Sequence, residues 1–207
     1  ICGEPPLSMR LALLIDSLHD KDPRVVSNAA RSLCRIGDIL GISAVIALYF
    51  ATPDQHLANS LLRYLRPVDR SVFNEQAEKI GKPARLPAPV LARIVAGARH
   101  FTDWEPLLPW IVAAVDHDES EVRLAALNVV LRKADFFSSN IDRMVERALV
   151  SGNSREIALS HYIRWKAGRM GELDMLKSML LAGRKEDIEA VSELLISDNS
   201  LLARKIL

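Results

Sequence analysis

Asp20 with Asp22, and Asp116 with Asp118, are the residues whose type and spacing could most readily do chemistry. Carboxylates placed two apart could divide acid and base roles in a hydrolytic reaction. Both pairs, however, sit in short polar breaks between apolar helical stretches, at matching places. That recurrence favours helix capping and turn hydrogen bonds over catalysis. The five histidines lie far apart, and His19 and His117 fall at the same two breaks, where a solvated turn residue is expected. Cys2 and Cys34 are too few for a disulfide framework. An H-E-x-x-H helix, a C-x-x-C pair, a Gly-rich phosphate loop and a G-x-S-x-G turn are all missing from the sequence. No catalytic residue, metal ligand or cofactor is therefore predicted.

Positive charge offers a different chemistry, the gripping of phosphate. Arg63, Arg66, Arg70, Lys79, Lys82, Arg85, Arg93 and Arg99 oppose only Asp69, Glu75 and Glu78, a local balance of +5. Such a strip can neutralise a nucleic-acid backbone, or it can simply be a solvated face. Arg63, Arg66, Arg70, Arg93 and Arg99 are the candidate anion-binding residues. The chain as a whole carries only +1, which gives no overall attraction to nucleic acid or acidic membranes.

The elements that must position these residues are helices. In Leu11–Asp38, the residues Leu11, Leu14, Ile15 and Leu18 fall on one helical face. After a polar break, Asp22 is placed to cap a second helix opened by Pro23. Its apolar stripe is Val26, Ala29, Ala30, Leu33 and Ile36, and Gly37 ends it. The stretch Leu107–Asp135 repeats this pattern 96 residues later, with Asp20 matched by Asp116, Asp22 by Asp118, Val26 by Val122 and Ala29-Ala30 by Ala125-Ala126. An offset of 96 accommodates three units of about 32 residues.

This pattern of apolar helix, D-x-D turn, valine and Ala-Ala helix resembles a HEAT-like repeat. The resemblance implies an all-α chain: an α-solenoid of about six helical hairpins in a right-handed superhelix. The expected units are 8–38, 39–67, an irregular 68–102 interrupted by Pro83, Pro87 and Pro89, then 103–135, 138–168 and 171–196, with a further helix starting at 199–207. They form one domain of roughly thirteen helices and no strand. Capping boxes are expected at Ser139/Asp142 and Asn153/Glu156. In the family a basic residue often follows the turn valine; Arg123 supplies it here, while Ser27 stands at the first unit's place. HEAT-like hydroxylases hold iron with His-Glu pairs, a dipeptide this chain lacks. HEAT-like DNA glycosylases use a basic concave surface and an acid beside aromatics, for which Asp103-Trp104 is the available pair. Phycobilin lyases share the same repeat architecture.

Composition agrees with close helix packing: 49% of residues are hydrophobic but only 5% aromatic. No apolar run is long enough to span a bilayer, and the cytoplasm is the default compartment. A start at Ile1 and a stop at LLARKIL suggest a piece of a longer protein.

One comparison between the two clear units points to a binding surface. Asn28, Arg31 and Arg35 of the first map onto Leu124, Leu127 and Leu131 of the fourth. A helix apolar nearly all round should not face solvent, so an apolar patch centred on those leucines is predicted, continued by Leu159 and Tyr162 and flanked by Arg132 and His161. The expected function is a non-enzymatic scaffold that binds another protein or peptide in its concave groove, with Leu127→Asp blocking binding but leaving helicity intact. A DNA-binding or glycosylase-like protein using the basic strip is the alternative, and a phycobilin-lyase-like chromophore protein a further one.

Overall fold

Helix starts in this chain are written by short polar side chains. Asp22, Asp38, Asp54, Asp69 and Asn153 each stand just before a helix and accept hydrogen bonds from its first free N–H groups. The computed structural model describes residues 6–100, 105–137 and 139–197, and among these it contains thirteen α-helices, two short 3-10 helices and no strand. Cys2, Asp103, Trp104 and the stretch 199–207 lie outside the described residues. The contacts gather into two compact units that divide between Leu107 and Leu108.

The first unit holds α1 (Leu7–Ser17), α2 (Pro23–Ile36), α3 (Ile39–Ala51), α4 (Gln55–Leu65), α5 (Arg70–Ile80) and α6 (Ala88–Ala98). Helices pack in sequence, α1 on α2 and α3 on α4, and also layer by layer, α1 on α3, α3 on α5 and α2 on α4. Gly37, at φ +78°, lets the chain leave α2 directly into the Asp38 cap of α3. The predicted seam is buried at Val26, Ala29, Ala30 and Leu33, whereas Ile36 stays largely exposed. The irregular segment is explained by its prolines. Pro83–Arg85 forms a 3-10 turn, Pro87 precedes α6, and α6 packs against α3. There Tyr49 donates its hydroxyl to the Arg93 carbonyl (3.0 Å), and Arg93 Nη1 donates to the Phe50 carbonyl (3.0 Å). Phe73 fills the space between, 5.2 Å from the Phe50 ring and 6.3 Å from that of Tyr49.

The second unit holds α7 (Leu108–Val115), α8 (Ser120–Arg132), the single turn α9 (Ala134–Phe137), α10 (Ile141–Leu149), α11 (Ser154–Lys166), α12 (Glu172–Leu181) and α13 (Lys185–Ser197). Here α7 packs on α8 and α10 on α11, while α8 packs on α11 and α11 on α13. Two expected capping boxes are corrected. Helix α10 starts at Ile141 after Asn140, with no side-chain cap, so Ser139 is not its capping residue and Asp142, one place too early to close a box, pairs with Arg164 and Arg169. Asn153 does cap α11, but Glu156 turns away into an ion pair. The turn α9 was not predicted, being too short to show a period. Helices α2, α4, α6, α8, α11 and α13 begin at residues 23, 55, 88, 120, 154 and 185, steps of 31 to 34 residues.

Gly97 marks the closest approach in the first unit. A methyl group there would run into the Phe73 ring, which the flanking Tyr49 and Phe50 rings prevent from giving way. Gly97→Ala is therefore expected to lower stability by about 1–3 kcal/mol, despite alanine's better helix propensity. Urea unfolding of the two proteins measures this; an equal or raised midpoint for the variant would contradict the close packing.

Candidate interaction groove

The geometry of α8 begins at the turn before it. His117 Nδ1 accepts the Glu119 N–H at 3.0 Å, the part Asp20 plays for the Asp22 N–H at 2.7 Å in the first unit. Asp20, Asp22 and Asp118 thus serve turns and partners. Asp22 caps α2, and Asp118 ion-pairs with Arg147 at 2.5 Å. Arg123 then fixes both the turn and the next helix. Its Nη1 donates to the carbonyls of His117 (2.7 Å) and Asp118 (2.5 Å), while Nε and Nη2 form a bidentate pair with Glu156 at 2.7 and 2.8 Å. Both side chains are buried. Removing one partner of such a pair strands a charge and typically costs about 3–5 kcal/mol.

Hydrogen bonds between residues 33 apart align the starts of three helices. Asn153 Nδ2 donates to Ser120 Oγ (3.0 Å), joining α11 to α8. Ser154 Oγ donates to Asp187 Oδ1 (2.6 Å), joining α11 to α13. The Ser154 hydroxyl, followed by Arg184 at 2.6 Å, holds the Asp187 carboxyl below its ordinary range, against the opposing effect of its burial. Behind them, Glu172 on α12 accepts from His161 (2.6 Å) and pairs with Arg164 (3.1 Å). Arg164 Nε also lies 3.0 Å from Asp142 Oδ1, without the alignment of a hydrogen bond. His161 is therefore tied into an internal charge chain and does not flank an open surface.

Across these three helices runs a groove of about 300 Å³. Its apolar lining is Leu124 on α8, Leu159 on α11, and Ala190 and Leu194 on α13. Asn128 lies beside Leu124, its amide donating back to the Leu124 carbonyl at 2.8 Å. Arg155 and Glu193 also line the groove and pair at 2.5 Å. The chemistry this arrangement offers is the burial of an apolar side chain between charged edges.

The predicted patch is thus shifted. Leu127 is fully buried, and Leu159 and Tyr162 are only 5% and 2% exposed. The physical reason is angular. Leu127 stands about 300° around the helix from Leu124, which turns it toward the neighbouring helices, and a stacked helix is covered on two flanks rather than one. The stripe of α8 that stays accessible is Glu121, Leu124, Ala125, Asn128, Leu131 and Arg132. Leu124 and Leu131 therefore keep their predicted place at the surface, partly exposed, and Arg132 is exposed beside them. Lys166 lies over the Tyr162 and Trp165 rings, 5.4 Å from each centroid. What sequence reasoning missed is the contribution of α13, because Ala190 and Leu194 look like ordinary core positions until α13 is laid against α11.

The candidate anion strip is scattered over three helices of the first unit. Arg93 is committed to the Phe50 carbonyl, and Lys79 pairs with Glu75 at 2.7 Å. Arg63, Arg66 and Arg99 are exposed, and Arg70 is partly so. The first unit's own groove, between α2 and α4, is lined by Arg24, Ser27, Asn28, Asp54, His56 and Ser60 together with Pro23 and Leu57, so it mixes polar and apolar side chains. Cys34 is half-buried, and burial pushes its thiol up to about 11, which leaves almost no thiolate at neutral pH. Among the described residues, no three His, Cys, Asp or Glu side chains converge as a metal site would need. Compared with protein-family models, curated proteins and solved structures, the chain gave no significant match.

The Ser154–Asp187 contact has a pH signature. A carboxyl held low in the folded state contributes stability above its ordinary value of 3.8 and loses it as pH falls through the lowered folded value. Ser154→Ala should cost about 1.5 kcal/mol at pH 7 and distinctly less at pH 3. Denaturant titrations of both proteins at the two pH values check this; a gap that stays constant would show that Asp187 does not depend on the hydroxyl.

Proposed function

We propose that the chain is a helical-repeat interaction module, an α-solenoid of two-helix units similar to HEAT repeats, that holds a segment of a partner protein against α8, α11 and α13. The observation that carries this reading is the groove over those helices, apolar at Leu124, Leu159, Ala190 and Leu194 and edged by Arg155 and Glu193. An apolar channel with charged edges suits a helix or extended peptide with spaced apolar anchors. The steps of 31 to 34 residues between successive helix starts, and the side-chain links 33 residues apart, support the repeat reading. Stacked units bury apolar faces only against neighbours, which accounts for second helices whose remaining open strip is free to evolve toward a ligand.

Nucleic acid is less well supported. The basic strip is spread over several helices, and Arg70, Lys79, Arg93 and Arg99 among its members already have interactions of their own. No described helix is long and apolar enough to cross a membrane.

The shift of the patch toward Leu124 makes the test specific. Leu124→Asp, at a partly exposed position, should keep wild-type helicity and melting behaviour while removing a protein retained from cell extract by the immobilised wild-type chain. Leu127→Asp places a charge in the core and should instead cost about 3–5 kcal/mol, melting the second unit. Retention of the same proteins by folded Leu124→Asp would refute the groove as the docking surface.

A further inference from the structure

A second concavity in the unit that begins at Leu108 has no part in the groove. It lies between α7, α9 and α10, with a volume of about 170 Å³ and apolar walls formed by Leu108, Val112, Val115, Phe137 and Met144. Phe136 completes the wall, its ring edge-on to that of Phe137 at 5.1 Å. Val112 and Phe136 remain 38% and 52% exposed, so hydrocarbon stays open to water around a preformed recess. Asp116, Asn140 and Arg143 complete the lining.

The charges around this recess are not equivalent. Asp116 is exposed, and it is its backbone carbonyl, not its carboxylate, that takes Arg147, whose charge is paired with Asp118. On α10 itself, Asp142 is taken by Arg164 and Arg169. Arg143 is exposed and makes no hydrogen bond or ion pair among the described residues. The Asn140 side chain makes no capping hydrogen bond to α10. An apolar recess beside an unengaged guanidinium and amide is complementary to one chemistry: a hydrocarbon body ending in an anion that guanidinium binds in a bidentate manner.

We infer that this recess binds an apolar monocarboxylate, hydrocarbon inward and carboxylate on Arg143 with the Asn140 amide as second donor. A free short-chain acid and the C-terminal carboxylate of a peptide ending in an apolar residue present the same chemistry. Titration calorimetry or ligand-observed NMR of the intact chain with hexanoate, with an N-acetylated dipeptide ending in leucine, and with hexanol and hexylamine separates the sources. At least one carboxylate is expected to bind in about the millimolar range or tighter, with hexanol at least tenfold weaker and hexylamine undetected. Hexanoate alone identifies a free acid as the ligand type, and the dipeptide alone identifies a chain terminus. Arg143→Gln, at an exposed position, should keep the fold and weaken the carboxylate about tenfold without changing hexanol. Leu124→Asp should leave it unaffected, which separates this site from the groove. Failure of both carboxylates to bind, or binding indifferent to Arg143→Gln, overturns the assignment.

Discussion

The guanidinium of Arg123 joins three things that must keep register in the unit from Leu108 onward: the turn after α7, the helix α8 on which it stands, and α11 through Glu156. An isolated buried charge would be untenable there, and the bidentate geometry together with two backbone carbonyls is what makes it acceptable. The pair contributes direction more than net stability, because its desolvation offsets much of its attraction. A greasy contact could slide by a turn; a fork on a carboxylate cannot. The alignment of α8 with α11, and hence the groove between them, follows from that constraint.

The first unit solves the corresponding problem differently. At the place matched to Arg123 it has Ser27, whose hydroxyl lies 3.1 Å from the Tyr64 hydroxyl on α4. That neutral contact carries a smaller desolvation burden than a buried charge, and Asn28, Arg31 and Arg35 nearby are exposed. Its rigidity comes from elsewhere: the reciprocal Tyr49–Arg93 and Arg93–Phe50 hydrogen bonds and the ring cluster around Phe73. In both units the second helices of successive hairpins pack on one another, α2 on α4 and α8 on α11, and each groove keeps apolar side chains, Leu57 in the first and Leu124, Leu159, Ala190 and Leu194 in the one from Leu108. The proposal of recognition rests on the longer apolar lining over α8, α11 and α13.

Helical content, helix starts and most of the seams were legible because they rest on local rules. Asp22 caps the helix it was expected to cap, and Val26, Ala29, Ala30 and Leu33 are buried as their spacing predicts. Asp142 and Glu156 are the instructive departures. Glu156 stood where it could close a capping box and was diverted by Arg123, while the later start of α10 left Asp142 out of register for one and free to pair with Arg164. A charge-assisted pair outweighs a local backbone contact when the partner is within reach, and reach is not written in spacing.

What the sequence determined by itself is the identity and phase of the helices, since 3.6-residue periodicity and short polar caps act within a few residues. Tertiary structure decided which side of each helix meets water. A period marks one apolar face, but a helix held between neighbours is covered on two flanks, so Leu127 went inward while Leu124, three residues away, stayed at the surface. The groove and the recess beside Arg143 both arise from side chains on three separate helices. Their existence depends on lateral packing distances, which no local pattern encodes.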